Sequence, residues 1–194
     1  MIDEPDIVET LAPLVRTLDL LRVAWYIGGS VASSSYGTPR MTMNIDLVAD
    51  IHAHQIHSFI EHVEHDFLVN RQAVAAAVRD RRSFNLIHKE TILKVDIFVC
   101  QANLLAEEAM RRRRSEIMDS RQKIYFASSE DTVLAKLDWY RKGGEVSQKQ
   151  WEDILGVLQM QRGNLDMAYL RCWSDRQGLL TLLDRALSQL PEDE

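Results

Sequence analysis

The sequence predicts a mixed α/β fold, a small mixed β-sheet with helices on its face, followed by a C-terminal helical bundle. Eight glycines and four prolines in 194 residues are about half the usual share, which indicates few tight turns and much helix. In the first part of the chain, short strand-like runs are interleaved with segments of helical period. In the last part only the helical period remains. We therefore expect an α/β core over residues 1–125 and a helical subdomain over residues 126–194.

Hydrophobic periodicity predicts the elements of the α/β core. In chain order they are a helix over residues 7–18, a strand over 23–27, a helix over 30–36, a strand over 44–50, a helix over 53–66, and strands over 83–88 and 91–100. Ile45, Leu47 and Ala49 share one face of their strand, so we expect them to be buried. Phe67 is expected to extend the apolar stripe of the preceding helix. A two-residue turn should join the last two strands as a hairpin.

The helical subdomain shows the usual start signals of helices. Ser129 with two acidic residues after it predicts a capped helix that ends near residue 143. Ser147 followed by Gln150 fits a capping box for a second helix. Asn164 is expected to cap a third, and a fourth follows over residues 179–190. Tryptophans on or beside the apolar stripes are expected in the core, and these are Trp25, Trp139, Trp151 and Trp173.

Composition and charge exclude several classes of protein. The net charge of −6 argues against a protein that coats nucleic acid, although residues 109–123 carry a local charge of +4 that could hold a polyanion. Two cysteines without CxxC spacing argue against a disulfide scaffold or a thiolate zinc site. No apolar run reaches the roughly 18 residues of a membrane span. The acidic N-terminus does not resemble a secretory signal, so we expect a cytoplasmic protein without a membrane partner.

A glycine turn after the first strand is the first candidate for chemistry. Gly28-Gly29-Ser30 follows a strand and opens a helix, so its backbone N–H groups and the helix dipole could hold a phosphate. A purely structural Gly-Gly turn is the alternative, and the motif alone favours it.

Polar side chains on two strands are the second candidate. Asn44 and Asp46 are two residues apart in a strand, so they point to the same face and can reach one ion. Asp96 lies in an otherwise apolar strand, where a carboxylate is costly unless it is paired or binds a metal. A structural ion pair of Asp96 with Lys94 or Arg40 is the alternative.

Together these features resemble the signature of the polymerase β-like nucleotidyltransferase superfamily. That signature has a Gly-Ser turn, two acidic residues separated by one apolar residue, and a third aspartate on a later strand. The stretch Gly37-Thr38-Pro39-Arg40-Met41-Thr42 more narrowly resembles the AbiEii-type toxin nucleotidyltransferases. Residues 130–137 and 150–154 are similar to that family's lysine-bearing and aspartate-bearing helices, so the resemblance spans residues 25 to about 158.

The resemblance implies transfer of a nucleoside monophosphate from an NTP to an acceptor hydroxyl of RNA or protein. It implies Mg²⁺ held by Asn44, Asp46 and Asp96. It also implies nucleotide binding by Gly28, Gly29, Ser30, Arg40 and Lys136, with Lys136 in a cleft between the two halves of the chain. Asp46, Asp96, Lys136 and Asp153 would be the catalytic residues, and an antitoxin protein would be a partner. Without the family match, Lys136 and Asp153 would be interpreted as an exposed helix pair.

Asn44 is the one departure from the family pattern. The family has an acidic residue at this position, and an amide oxygen is neutral and a weaker ligand of Mg²⁺ than a carboxylate. The chain is therefore expected to be a weakly active enzyme, a catalytically degenerate nucleotide- or partner-binding relative, or a variant with an inactivating substitution. An antitoxin-like interaction subunit is a third class that the sequence leaves open.

Overall fold

The structure is a computed structural model that describes residues 4–39, 42, 44–117 and 123–191. Its α-helices are α1 (Glu4–Leu20), α2 (Gly29–Tyr36), α3 (Ile56–Val63), α4 (Arg71–Asp80), α5 (Leu104–Arg112), α6 (Ser129–Lys142), α7 (Gln148–Met160), α8 (Met167–Arg176) and α9 (Leu180–Leu187). Its strands are β1 (Trp25–Ile27), β2 (Asn44–Ala49), β3 (Phe67–Val69), β4 (Ser83–His88), β5 (Lys94–Val99), β6 (Arg114–Ile117) and β7 (Lys123–Phe126). None of the helices in these ranges combines the length and apolar character needed to cross a bilayer.

The strands form one mixed sheet in the order β3-β4-β5-β2-β1-β7-β6. The pairs β2/β5 and β1/β7 are parallel, and the other neighbours are antiparallel. This confirms the predicted mixed α/β class, including the hairpin of β4 and β5. Ile45, Leu47 and Ala49 are buried as predicted, because one face of β2 packs into the core while the other carries the polar side chains.

The chain divides into two compact units. Residues 1–28 and 41–126 form the first, which contains the sheet, and residues 29–40 and 127–194 form the second, which is helical. Helix α2 thus belongs with the C-terminal helices although it lies early in the chain. The division into domains at residue 125 stays a proposal.

Close packing of α2 against α7 explains two glycines of the second unit. A Cβ at Gly37 would lie 2.9 Å from the carbonyl carbon of Gly156 and from the backbone nitrogen of Val157. The Gln161 side chain also donates a hydrogen bond to the Tyr36 carbonyl, at 2.9 Å. Only residues without a side chain allow the two backbones to approach this closely.

Some predicted elements of the first unit are wrong. Phe67 does not extend a helix, because the chain makes a turn after α3 and Phe67 begins the short strand β3. The strand expected over residues 91–100 begins at Lys94, because Ile92 has a left-handed φ of 59° in the preceding turn. The strands β3, β6 and β7 and the helices α4 and α5 were not predicted as elements. The three strands have only three or four residues, too few for a clear period.

Two predicted helix caps were misplaced, and a third is only half formed. Ser128 rather than Ser129 caps α6, and Asp166 rather than Asn164 caps α8, because their side chains accept from the N3 backbone nitrogens. Ser147 caps α7 as predicted, but the side-chain oxygen of Gln150 is buried without a hydrogen bond among the described residues. The reciprocal half of the capping box is therefore missing.

Of the four tryptophans that were expected in the core, only Trp25 is buried there. Trp25 is 1% exposed, whereas Trp139 is 53% exposed on α6 and Trp151 and Trp173 are half-buried. The prediction for Trp139 was wrong because this side chain lies beside the apolar stripe of its helix and not on it.

Candidate functional site

The turn after β1 connects the glycine motif to the acidic strand. The Gly28 backbone nitrogen donates to the Asp46 carbonyl, at 2.9 Å. Gly29 has a left-handed φ of 56°, which explains a glycine there. A Cβ at Gly28 would meet only one atom of Tyr26, at 4.0 Å, so packing does not require glycine at this position. The space above Gly28 is what a close approach of the backbone to a ligand needs.

The two aspartates lie side by side on neighbouring strands. Asp46 of β2 and Asp96 of β5 are register partners in the parallel pair, and neighbouring strands are about 4.8 Å apart. Register partners point to the same face of a sheet. Both residues are half-buried. The structure therefore brings together two carboxylates that are fifty residues apart in the chain, on the polar face of the sheet next to Gly28.

Asp96 is bound by two neighbours. The Lys94 ammonium lies 2.7 Å from Oδ1 and 3.0 Å from Oδ2 of Asp96. Asn44, the register partner of Lys94, donates from Nδ2 to Oδ2 of Asp96 at 3.3 Å. The ion pair of Lys94 and Asp96 that the sequence offered as an alternative is thus present. The four polar residues Asn44, Asp46, Lys94 and Asp96 carry a formal charge of −1, against −3 for a triad of carboxylates.

The donor set fits a magnesium ion that arrives with a nucleotide. No group of three or more His, Cys, Asp or Glu side chains that could hold a metal is found in the described ranges. Magnesium, however, is commonly bound by one or two carboxylates together with substrate phosphates and water. Asp46 and Asp96 provide such a pair. Asn44 donates to Asp96, so it could offer its amide oxygen to a metal only after its amide turns over.

Lys136 and Asp153 form a buried ion pair in the second unit. The ammonium of Lys136 on α6 bonds to Oδ2 of Asp153 on α7, and the two side chains are 9% and 6% exposed. The interpretation as an exposed helix pair is therefore wrong. Because removing one member of a buried pair leaves an uncompensated charge, the pair fixes α6 against α7. The catalytic role of both residues stays a prediction.

The acidic start of α6 is also buried and hydrogen-bonded. Asp131 accepts from the hydroxyls of Tyr169 and Ser128, both at 2.6 Å. Glu130 accepts from the backbone nitrogen of Asp166, at 2.8 Å. The bonds from Tyr169 and Asp166 join α6 to the start of α8. Sequence reasoning identified the acidic start but not its partners Asp166 and Tyr169, which lie thirty-six and thirty-eight residues further along the chain.

The contacts described above do not test two residues that were predicted to bind the nucleotide, Arg40 and Ser30. Arg40 lies outside the described residues. Ser30 is the second residue of α2, in the second unit, and its backbone carbonyl accepts from the Ser33 hydroxyl at 3.1 Å. Their binding roles stay predictions.

Comparison of structures places the chain among nucleotidyltransferase folds. The antibiotic-resistance factor ANT(2'')-Ia matches with a TM-score of 0.58 at 12% identity, over 94% of this chain and 99% of that chain. The same protein in complex with adenylyl-2''-tobramycin matches with a TM-score of 0.56 at 12% identity, over 88% and 98% of the two chains. An antigenic nucleotidyltransferase-like protein from Paracoccidioides brasiliensis matches with a TM-score of 0.54 at 16% identity, over 97% and 95%.

These neighbours are nucleotidyltransferases or resemble them, and they establish the fold of this chain. At 12–16% identity they show the fold alone, so the predicted relation to the polymerase β-like superfamily stays a proposal. No protein-family model and no curated protein matches the sequence. The narrower AbiEii-type identification therefore stays a proposal.

Proposed function

We propose that this protein is a nucleotidyltransferase that transfers a nucleoside monophosphate from an NTP to an acceptor hydroxyl. The observation that carries the proposal is the register pairing of Asp46 with Asp96 beside Gly28, on the sheet of a nucleotidyltransferase fold. One structural neighbour, ANT(2'')-Ia, was solved with an adenylylated aminoglycoside, the product class that such a transfer creates.

In the proposed reaction the acceptor oxygen attacks the α-phosphorus of the NTP. A new P–O bond forms to the acceptor, the bond to the bridging oxygen breaks, and pyrophosphate leaves with the negative charge. The hydroxyl proton passes to a carboxylate of the Asp46–Asp96 pair or to water. Asp46 and Asp96, with Asn44 after its amide turns, would hold Mg²⁺, which would supply positive charge against the negative charge that develops on the phosphates.

The remaining residue roles follow the family resemblance. Gly28, Gly29, Ser30 and Arg40 would bind the phosphates, and Lys136 would add a point charge toward the triphosphate. Asp153 would orient Lys136, a role that their buried ion pair supports. The acceptor would be RNA or a protein. The biological role would be that of a cytoplasmic toxin of the AbiEii type with an antitoxin partner.

A catalytically degenerate binding module is the second candidate, and the contacts of Asp96 favour it. Asn44 removes one negative charge, and Lys94 already occupies both oxygens of Asp96. A site with a formal charge of −1 attracts Mg²⁺ far less than one with −3. Such a module would bind an NTP without transferring it.

Incubation with each of the four α-³²P-labelled NTPs, total cellular RNA and total protein separates the candidates. We expect covalent label on one acceptor class, and loss of that label with Asp46→Asn. Asp80→Asn, which removes an exposed carboxylate of α4, is the matched control and should label normally. NTP binding without any label supports the binding module. Absence of both binding and label overturns both candidates.

The role of Lys136 is tested separately by titration calorimetry with the NTP. Lys136→Ala should lose NTP affinity, while Lys136→Arg keeps the charge and should retain part of it. Because Lys136 is paired in the folded protein, melting temperatures must accompany the titration. A folded Lys136→Ala protein with unchanged NTP affinity would rule out the proposed role.

A further inference from the structure

A cavity lies at the other end of β1 from the aspartate pair. It has a volume of about 250 Å³ and forms where the turn after α1 meets the start of β1 and strand β7. Its polar and aromatic lining consists of Asp19, Arg22, Trp25, Arg113 and Tyr125. Trp25 begins β1 and pairs with Ala49, the last residue of β2. Three residues of extended chain, about 10 Å, therefore separate Trp25 from Gly28.

Arg113 is held in place by aromatic side chains. Its guanidinium lies 4.8 Å from the centre of the Tyr125 ring, and Nη1 donates to the Met110 carbonyl. Tyr125 in turn packs edge-on against Trp25, with ring centres 5.3 Å apart and planes at 84°. The Nε of Arg113 is buried and has no acceptor in the described part of the chain. The side chain is thus fixed with part of its donor capacity unused.

The charges that face the cavity leave a positive excess. Arg22 and Arg113 contribute two guanidinium groups, and neither forms an ion pair within the described ranges. Asp19 is the opposing carboxylate, and it accepts a hydrogen bond from the Trp25 indole at 3.1 Å. Arg22 is held in a tight turn, with a φ of 54° and its nitrogen bonded to the Asp19 carbonyl at 3.0 Å. Two guanidinium groups therefore line the cavity against one carboxylate, with the Arg113 side chain held by its contacts and the backbone of Arg22 fixed by its turn.

We propose that this cavity binds a phosphate group. Guanidinium groups match the geometry of phosphate oxygens and form strong charge-assisted hydrogen bonds with them. A volume of about 250 Å³ is below the usual range for drug-sized ligands, so a phosphate group fits better than a whole nucleotide. The site is independent of the proposed transfer reaction, since it shares no residue with the Asp46–Asp96 pair.

The paired strands β6 and β7 beside the cavity carry further exposed cations. Arg114 begins the edge strand β6, Lys123 begins β7, and both side chains are exposed. A phosphodiester chain could follow this hairpin with one phosphate in the cavity. A free anion presents the same phosphate chemistry, so the test contains both sources.

Two probes distinguish the sources of the phosphate. Pyrophosphate and inorganic phosphate are titrated by calorimetry, and a labelled single-stranded RNA of twelve nucleotides is titrated by fluorescence anisotropy over a range of salt. Arg113→Ala and Arg22→Gly should each weaken binding about tenfold, the loss of one charge-assisted contact. For RNA, each should also reduce the slope of log K against log salt by about 0.7.

The substitutions are chosen so that loss of binding reports on the arginines of the cavity and not on the fold or on the aspartate pair. Glycine suits the left-handed φ of residue 22, so Arg22→Gly removes the guanidinium without straining the turn. Arg79→Ala, which removes an exposed cation of α4, should change neither affinity nor slope. Asp46→Asn should leave this binding intact while it abolishes NMP transfer, which separates the two proposals.

Each outcome decides the proposal. Loss of RNA binding with no measurable affinity for free phosphate identifies a polynucleotide phosphate as the ligand, and loss of both identifies phosphate in general. Affinities of both probes that are the same in Arg22→Gly, Arg113→Ala and wild type would overturn the proposal. Binding that disappears in Asp46→Asn but not in the arginine variants would assign the phosphate to the aspartate site and overturn it as well.

Discussion

Replacing Lys94 by methionine tests whether the aspartate pair can hold a metal. In the structure the Lys94 ammonium contacts both oxygens of Asp96, at 2.7 and 3.0 Å. Methionine has a similar length and no charge, so the formal charge of Asn44, Asp46, residue 94 and Asp96 changes from −1 to −2. We expect Lys94→Met to bind Mg²⁺ more tightly than wild type.

The magnitude follows from Coulomb's law. A Mg²⁺ ion on Asp96 would lie about 4 Å from the displaced ammonium, and in water the repulsion at that distance is about 2 kcal/mol. The dielectric constant of water is the appropriate choice because the Lys94 side chain is 39% exposed. Removing this repulsion corresponds to a roughly thirtyfold gain in Mg²⁺ affinity.

Asn44→Asp also changes the formal charge of these four residues from −1 to −2. It replaces the amide donor, 3.3 Å from Oδ2 of Asp96, by a carboxylate. Without metal the new repulsion is about 1 kcal/mol in water, which lowers the melting temperature by about 2–4 °C. Millimolar Mg²⁺ with NTP should restore it. The double variant Asn44→Asp/Lys94→Met reaches a charge of −3 and should bind Mg²⁺ most tightly.

Titration calorimetry with Mg²⁺, with and without a non-hydrolysable NTP analogue, measures these affinities. Melting curves in chelator and in Mg²⁺ give the stability of each variant. Lys149→Met removes an exposed cation of α7 and is the matched control, which should behave as wild type. Equal Mg²⁺ affinities of wild type, Lys94→Met and the double variant would refute the metal site in this chain.

Three further predictions concern packing and reactivity. Lys136→Met should lower the free energy of unfolding by about 3–5 kcal/mol, because it leaves Asp153 buried without its ion-pair partner; denaturant melts measure this, and a variant as stable as wild type would contradict it. Gly37→Ala should cost about 1–3 kcal/mol, since the new Cβ meets the α7 backbone at 2.9 Å; calorimetric melting is the check. Burial raises the pKa of the Cys100 thiol to about 11, so little thiolate exists at pH 8. Iodoacetamide at that pH should therefore modify the exposed Cys172 first, and equal labelling by mass spectrometry would disprove the protection.

Local patterns in the sequence determined the longer elements and their faces. The period of two over residues 44–49 was enough to place Ile45, Leu47 and Ala49 in the core and Asp46 on the polar face. The strands β3, β6 and β7 were not predicted, because three or four residues are too few to establish a hydrophobic period. The AbiEii-type resemblance and the roles of the site residues are hypotheses from motifs, and they await the experiments above.

Only the tertiary structure decided which polar groups meet. The register of β2 against β5 makes Asp46 a neighbour of Asp96 and brings Asn44 beside Lys94. Helix packing buries the pair of Lys136 and Asp153, which local spacing alone would leave on a surface. The physical reason is that periodicity encodes which face of an element is apolar, whereas strand order and register depend on contacts between separate segments, such as β2 and β5, whose register partners are fifty residues apart.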